Sequence, residues 1–169
     1  MYFSERALEL AQRIVARATA EGLTVATAES CTGGLVAACL TEVAGASHAF
    51  ERGFVTYSNE AKTALLGVPR ELFARVGAVS EEVSRAMAEG ALRKAGVDLA
   101  VSVTGIAGPG GGTAAKPVGL VHLAAAGKGQ PTLHRSEVFP GDRAAIRLAA
   151  VESALALLLR RLDGAEPGP

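Results

Sequence analysis

Three runs of this chain gather small polar residues and glycines: AESCTGG over 28–34, YSNEAK over 57–62 and TGIAGPGGG over 104–112. Each follows a β-prone stretch, and ligands of open α/β sheets collect beyond the carboxyl ends of the strands. Ser30 stands between such a strand and an apolar, helix-prone segment that starts near Thr32 or Gly33. A helix start presents unbonded N–H groups and the positive end of the helix dipole. N–H groups from Cys31, Thr32, Gly33 and Gly34 would there hold an oxyanion while Ser30 attacked a carbonyl carbon. Taken alone, S-x-T-G-G reads first as a plain helix cap. A nucleophile needs a base.

Histidine supplies that base poorly, because only His48, His122 and His134 exist and His122 falls inside a predicted strand. The three show no metal-ligand spacing and no accompanying carboxylates, so no metal and no cofactor is expected. Lysine can replace histidine if desolvation strips its proton near neutral pH. Lys62 is the best placed, one turn beyond a Ser58-Asn59 helix start and five residues after Tyr57. A single lysine is more often a solvated surface group. Here Tyr57, Ser58, Asn59 and Lys62 crowd one strand-to-helix turn. The pattern is not that of the penicillin-recognising enzymes, because Ser30 lacks the lysine three residues on that S-x-x-K demands.

The loop 104–112 holds five glycines in nine residues, a density that brings backbone N–H groups close to an anion. It matches neither the phosphate-loop pattern nor the dinucleotide fingerprint. A plain surface connection explains it equally well.

The elements that must position these runs follow from periodicity and punctuation. Residues 4–20 read as an amphipathic helix with Leu8, Ala11, Ile14 and Val15 on one face. Leu23–Ala28 and Phe50–Tyr57 read as strands, each leading into a helix, the first running from Gly33 to Val43. Ser80 starts a helix over Glu81–Ala95, and Leu99–Thr104 is a buried strand. Val118–Ala126 and Leu133–Phe139 form a predicted hairpin around a Gly127–Pro131 turn, and Asp142 caps a closing helix from Arg143 to Leu162. This order predicts one domain over residues 1–162, a three-layer α/β/α sandwich on a mixed sheet, with a flexible tail over 163–169.

At 169 residues, 49% of them hydrophobic, the chain can bury a single core. The 17 basic and 17 acidic side chains cancel, with no basic run, which argues against nucleic acid or a membrane as partner. No signal segment opens the chain, and Cys31 and Cys39 lie too far apart along a helix to pair. Both features point to the cytoplasm. The ALALLL run of the closing helix is apolar on more than one face, which suits a buried element or a homo-oligomer interface.

With these runs in view, the sequence resembles the CinA C-terminal domain family, whose standalone members are called PncC. The segments that carry the resemblance are AESCTGGL, FERGFVTYSNEAKTALLGV (50–68), GAVSEEV (77–83), VTGIAGPGGG, KPVGLVH (116–122) and FPGDRAAIR (139–147), in order over residues 5 to 162. The resemblance implies hydrolysis of nicotinamide mononucleotide to nicotinate mononucleotide and ammonia, in pyridine nucleotide salvage. It implies a serine-lysine mechanism assisted by a tyrosine, which falls on Ser30, Lys62 and Tyr57. The family's second domain has no room in this chain, and members often carry Asp where Gly110 stands.

On this reading Lys62 deprotonates Ser30, and Tyr57 orients the lysine or passes a proton to the departing ammonia. Thr104, Gly105 and Gly108 shape the pocket, and Arg143 or Arg147 at the start of the last helix grips the phosphate. The rival is a nucleotide-binding or scaffold module without turnover, in which Ser30 only caps a helix and Lys62 only contacts phosphate. Ammonia release separates the two.

Overall fold

A computed structural model of the chain describes residues 2–168. Helix α1 (Glu5–Glu21) starts where Ser4 accepts from the Ala7 N–H and stops at Gly22. Its buried Ala7, Leu10, Ala11, Ile14, Val15 and Ala18 repeat at three- and four-residue intervals, the stripe that a helix lays on a core. Strand β1 (Val25–Glu29) is buried along its whole length. After it come α2 (Leu35–Thr41), a 3-10 turn at Ala46–His48, and strand β2 (Phe50–Val55). The chain continues through α3 (Asn59–Leu66), α4 (Arg70–Val76), α5 (Glu81–Ala95) and β3 (Leu99–Gly105). It closes with β4 (Leu120–Gly127), β5 (Gln130–Val138) and α6 (Arg143–Leu162).

The five strands lie in the order β2-β1-β3-β4-β5. β1 runs parallel to β2 and β3, whereas β4 pairs antiparallel with β3 and with β5. Because β1, β2 and β3 are parallel, their carboxyl ends share one edge of the sheet, and the loops after them meet there. α1, α2 and α6 cover one face and α5, with α3 and α4, the other. The result is the expected three-layer sandwich on a mixed sheet.

Burial decides which residues hold these layers together. Side chains alternate along β4, so Val121, Leu123 and Ala125 enter the core beneath α6 while Ala124 and Ala126 meet Ala88 of α5. Gly90 of α5 packs so closely on α3 that an added Cβ would lie 2.0 Å from the Leu66 carbonyl oxygen. That contact sets α3, and with it Lys62, at a fixed height on α5.

The structure departs from the sequence reading at several boundaries. α4 was not expected: Pro69 offers no side-chain cap, and none of its residues is fully buried. The hairpin turn shrinks to Lys128-Gly129, because Pro131 sits within β5, an edge strand that tolerates a residue without an N–H. Eleven residues of α6 are buried within this chain, against α1, α2 and the sheet, which accounts for much of its two-faced apolarity. Beyond it Ala165 donates back to the Arg160 carbonyl and packs on the core, and Pro169 of the expected tail lies outside the described residues. Among the described residues no helix is long and apolar enough to cross a membrane.

Candidate active site

Ser30 is the first residue beyond β1. Its N–H donates to the Val103 carbonyl of β3 at 3.0 Å, extending the parallel ladder by one residue and aiming the hydroxyl past the sheet edge. The chain then turns sharply, with the Gly33 N–H on the Ser30 carbonyl at 3.0 Å and the Leu35 N–H on that of Thr32 at 3.1 Å. Gly33 (φ 59°) and Gly34 (φ 102°) take left-handed conformations that a Cβ would strain, which explains the paired glycines.

The first turn of α2 is capped from within, just beyond the N–H groups expected to hold an oxyanion, of which only that of Gly33 is bonded among the described residues, to the Ser30 carbonyl. The carboxylate of Glu29, 1% exposed, accepts from the Val36 N–H at 2.8 Å, the Ala37 N–H at 3.0 Å and the Thr32 hydroxyl at 2.7 Å. The first turn of α2 is thus neutralised by the protein itself. Thr32, Gly33 and Gly34 shape the turn and do not line the cleft. Cys31 does line it, and among the described residues its N–H, like those of Thr32 and Gly34, makes no hydrogen bond to another residue.

Lys62 comes from the first turn of α3, where Ser58 accepts from the Ala61 N–H at 3.0 Å. Its side chain is 1% exposed, yet no ion pair among the described residues includes it. Nζ donates to the Thr56 carbonyl at 2.7 Å and lies 3.0 Å from Ser30 Oγ. Desolvation lowers its pKa from the ordinary lysine value, opposed only by Cys31. In its neutral form the amine, held by the Thr56 carbonyl, would present its lone pair to the Ser30 proton, the geometry a general base needs. The neighbouring Cys31 thiol is pushed up to about 11, chiefly by burial, so it stays protonated near neutral pH.

Ser30, Cys31, Tyr57 and Lys62 share one open cleft of about 310 Å³ with Thr104, Gly105, Gly108, Gly110, Gly111 and Arg143. Thr104 donates to the Ala78 carbonyl at 2.9 Å, tying β3 to the loop before α5. Tyr57, 62% exposed, accepts from Arg143 at 3.0 Å, and the same guanidinium donates to the Gly108 carbonyl at 2.7 Å. The group that orients Lys62 is therefore the Thr56 carbonyl and not the Tyr57 hydroxyl. The two arginines part company. Arg143 reaches the cleft, whereas Arg147 donates to the carbonyls of Cys31 (3.0 Å) and Thr32 (3.3 Å) and buttresses the turn from behind. At Gly110 an added Cβ would meet nothing within 4 Å, so a side chain there would start in open space.

Residues 7–162 match the model of the CinA C-terminal domain. The chain belongs to that family. Among curated relatives, this CinA domain is 52% identical to the nicotinamide-nucleotide amidohydrolase PncC of Enterobacter agglomerans, over 93% of this chain and 96% of the relative. It is 53% identical to a CinA-like protein of Akkermansia muciniphila, over 89% of this chain but 36% of that protein. The first curated relatives are thus much longer, and the chain spans about two-fifths or less of their length. Among solved structures, the competence/damage inducible protein CihA of Agrobacterium tumefaciens superposes with a TM-score of 0.91 at 51% identity, covering 93% of this chain and 96% of that one. A CinA superfamily protein of Escherichia coli gives 0.87 at 37% identity, covering 92% of this chain and 90% of that one.

Glu29 is the residue that sequence reasoning passed over. A lone carboxylate ending the otherwise uncharged, fully buried strand VATAE was its signal. The Thr56 carbonyl left none, since a backbone acceptor has no residue type.

Proposed function

We propose that this CinA domain hydrolyses the carboxamide of nicotinamide mononucleotide, giving nicotinate mononucleotide and ammonia, in the cytoplasmic salvage of pyridine nucleotides. The observation that carries the reading is the buried Lys62 amine 3.0 Å from Ser30 Oγ in a cleft at the strand ends. The 52% identity to a protein named as a nicotinamide-nucleotide amidohydrolase supports the choice of substrate.

Neutral Lys62 takes the Ser30 proton as Oγ bonds to the carboxamide carbon, and the carbonyl electron pair moves to oxygen. The Cys31 N–H donates to that oxyanion. The intermediate collapses by breaking the C–N bond, and the ammonium of Lys62 returns its proton to the leaving nitrogen, so ammonia departs from an acyl-serine. Tyr57, at the cleft mouth, assists that proton transfer. A water molecule, deprotonated by Lys62, then cleaves the ester and restores Ser30 as the carboxylate product leaves. Arg143 grips the substrate phosphate through the guanidinium that now spans Tyr57 and Gly108.

Incubation with nicotinamide mononucleotide and an ammonia readout tests the reading, with Ser30→Ala alongside. Turnover that disappears in a folded Ser30→Ala protein is expected. Binding without ammonia release by the unaltered chain would overturn it in favour of a module that only holds nucleotides.

A further inference from the structure

At the opposite end of the sheet from Ser30, a second cleft of about 270 Å³ lies between the ends of α1 and α6 and the β4–β5 turn. Arg161 lines it from the last turn of α6, together with Lys128, Gln130, Asp98 and Glu21. Arg161 is one of the largest fully buried side chains of the protein, 1% exposed. Its Nη1 donates to the Pro131 carbonyl at 2.6 Å, but its buried Nε has no partner. No ion pair among the described residues includes it.

A guanidinium keeps its charge wherever proteins fold, and taking it out of water is costly unless an anion or a full set of acceptors receives it. The acids of the cleft do not perform that service. Glu21 is paired with Arg17, which also binds Asp163. Asp98 Oδ2 receives the N–H and the hydroxyl of Thr24 at 2.8 and 3.0 Å. Lys128, on the exposed β4–β5 turn that also lines the cleft, is likewise absent from every ion pair among the described residues. Judged by ion pairs among the described residues, the cleft holds one paired acid, Glu21, and three unpaired charges, Asp98, Lys128 and the buried Arg161.

We infer that this cleft is a binding site for a small oxyanion, a phosphate or a carboxylate, received by the Arg161 guanidinium and closed over by Lys128. Both chemistries match the fork of a guanidinium, and Arg161 is among the residues that line the cleft. The site lies across the sheet from the catalytic cleft and is independent of the reaction proposed for it.

Titration of the full chain with inorganic phosphate, and separately with acetate, tests the assignment by amide NMR shifts at constant ionic strength set with chloride. Saturable shifts at Asp98, Lys128, Gly129 and Leu162 are expected with at least one of the two, and the tighter probe identifies the class. Lys128→Gln, on an exposed turn, should weaken that binding about threefold, the scale of one exposed charge contact. Arg161→Lys keeps the charge but loses the fork and should weaken it more than about tenfold. If that variant fails to fold, Lys128→Gln alone decides. Shifts that never saturate, that appear only around Gly108 and Arg143, or that Lys128→Gln leaves unchanged would overturn the site.

Discussion

The Thr32 hydroxyl donates to the Glu29 carboxylate at 2.7 Å, and both side chains are shut away from water on either side of Ser30. Together with the Val36 and Ala37 N–H groups, that bond fixes the turn from β1 into α2 and hence the direction of the Ser30 hydroxyl. Glu29→Gln keeps the size but replaces one acceptor oxygen by a donor, which then faces an N–H or a hydroxyl. A buried donor left unsatisfied costs about 1–3 kcal/mol. Urea unfolding should register a loss of that order, and kcat should fall while KM changes little. A variant as stable and as active as the parent would show that the carboxylate does not hold the turn.

Lys62 ties activity and stability to pH in the same direction. Burial lowers its pKa, so the folded chain loses this proton at a lower pH than the unfolded chain does. Between those two values the unfolded state binds more protons, and stability therefore rises with pH up to the ordinary lysine value of 10.5. Turnover should climb through the folded-state ionisation as the neutral base appears. In Lys62→Met both dependences vanish: activity is lost, and the melting-temperature difference between parent and variant shifts in favour of the parent as pH increases from 7 to 10. A difference that stays flat with pH would mean that Lys62 is not desolvated in solution.

Much of this was legible from residue types, and the reasons for the exceptions are physical. Ser58, Ser80 and Asp142 announce helices because each side chain accepts from an N–H three residues on, a strictly local pattern. Ser30 and Lys62 were legible by the company they keep. Arg143 and Arg147, one turn apart on α6, have the same local signal yet opposite destinations, and only packing against the turn at Cys31 separates them. α2 starts at Leu35 and not at Gly33, because the two left-handed glycines belong to the turn that Glu29 closes. That bond spans the turn, and spacing alone does not reveal it.

His122 and His134 lie outside the cleft and carry a second pH dependence. Glu81 accepts from His134 Nδ1 at 3.0 Å, so His134 Nε2 must accept from His122 Nδ1, 2.9 Å away, in the neutral pair. Desolvation lowers both pKa values; His134 and Lys116 add to the effect on His122, and Arg85 to that on His134, against the pull of Glu81 and Glu82. The unfolded chain takes up protons near the ordinary 6.5 while the folded pair resists, so stability falls as pH drops below that value. The urea midpoint should therefore decline from pH 7.5 to 5.5 more steeply in the parent than in His134→Gln. Parallel declines in the two proteins would remove the pair from the account.

Arg143 offers the sharpest separation of binding from chemistry. It reaches Tyr57 and the Gly108 carbonyl but not Ser30 or Lys62, so it stands where a substrate's remote end would rest and not at the reacting bond. Arg143→Gln should raise KM for nicotinamide mononucleotide roughly 10- to 100-fold, the equivalent of about 1.5–3 kcal/mol for a hydrogen bond to a charged group, with kcat altered little. Tyr57→Phe removes the hydroxyl that steadies the guanidinium and assists the proton transfer, so it should raise KM more modestly and also lower kcat. Because the two side chains act through one contact, their effects on KM should not add. The double variant should bind no worse than Arg143→Gln alone. Additive losses, or a collapse of kcat in Arg143→Gln with KM preserved, would place Arg143 in the chemical step and leave the phosphate without its partner.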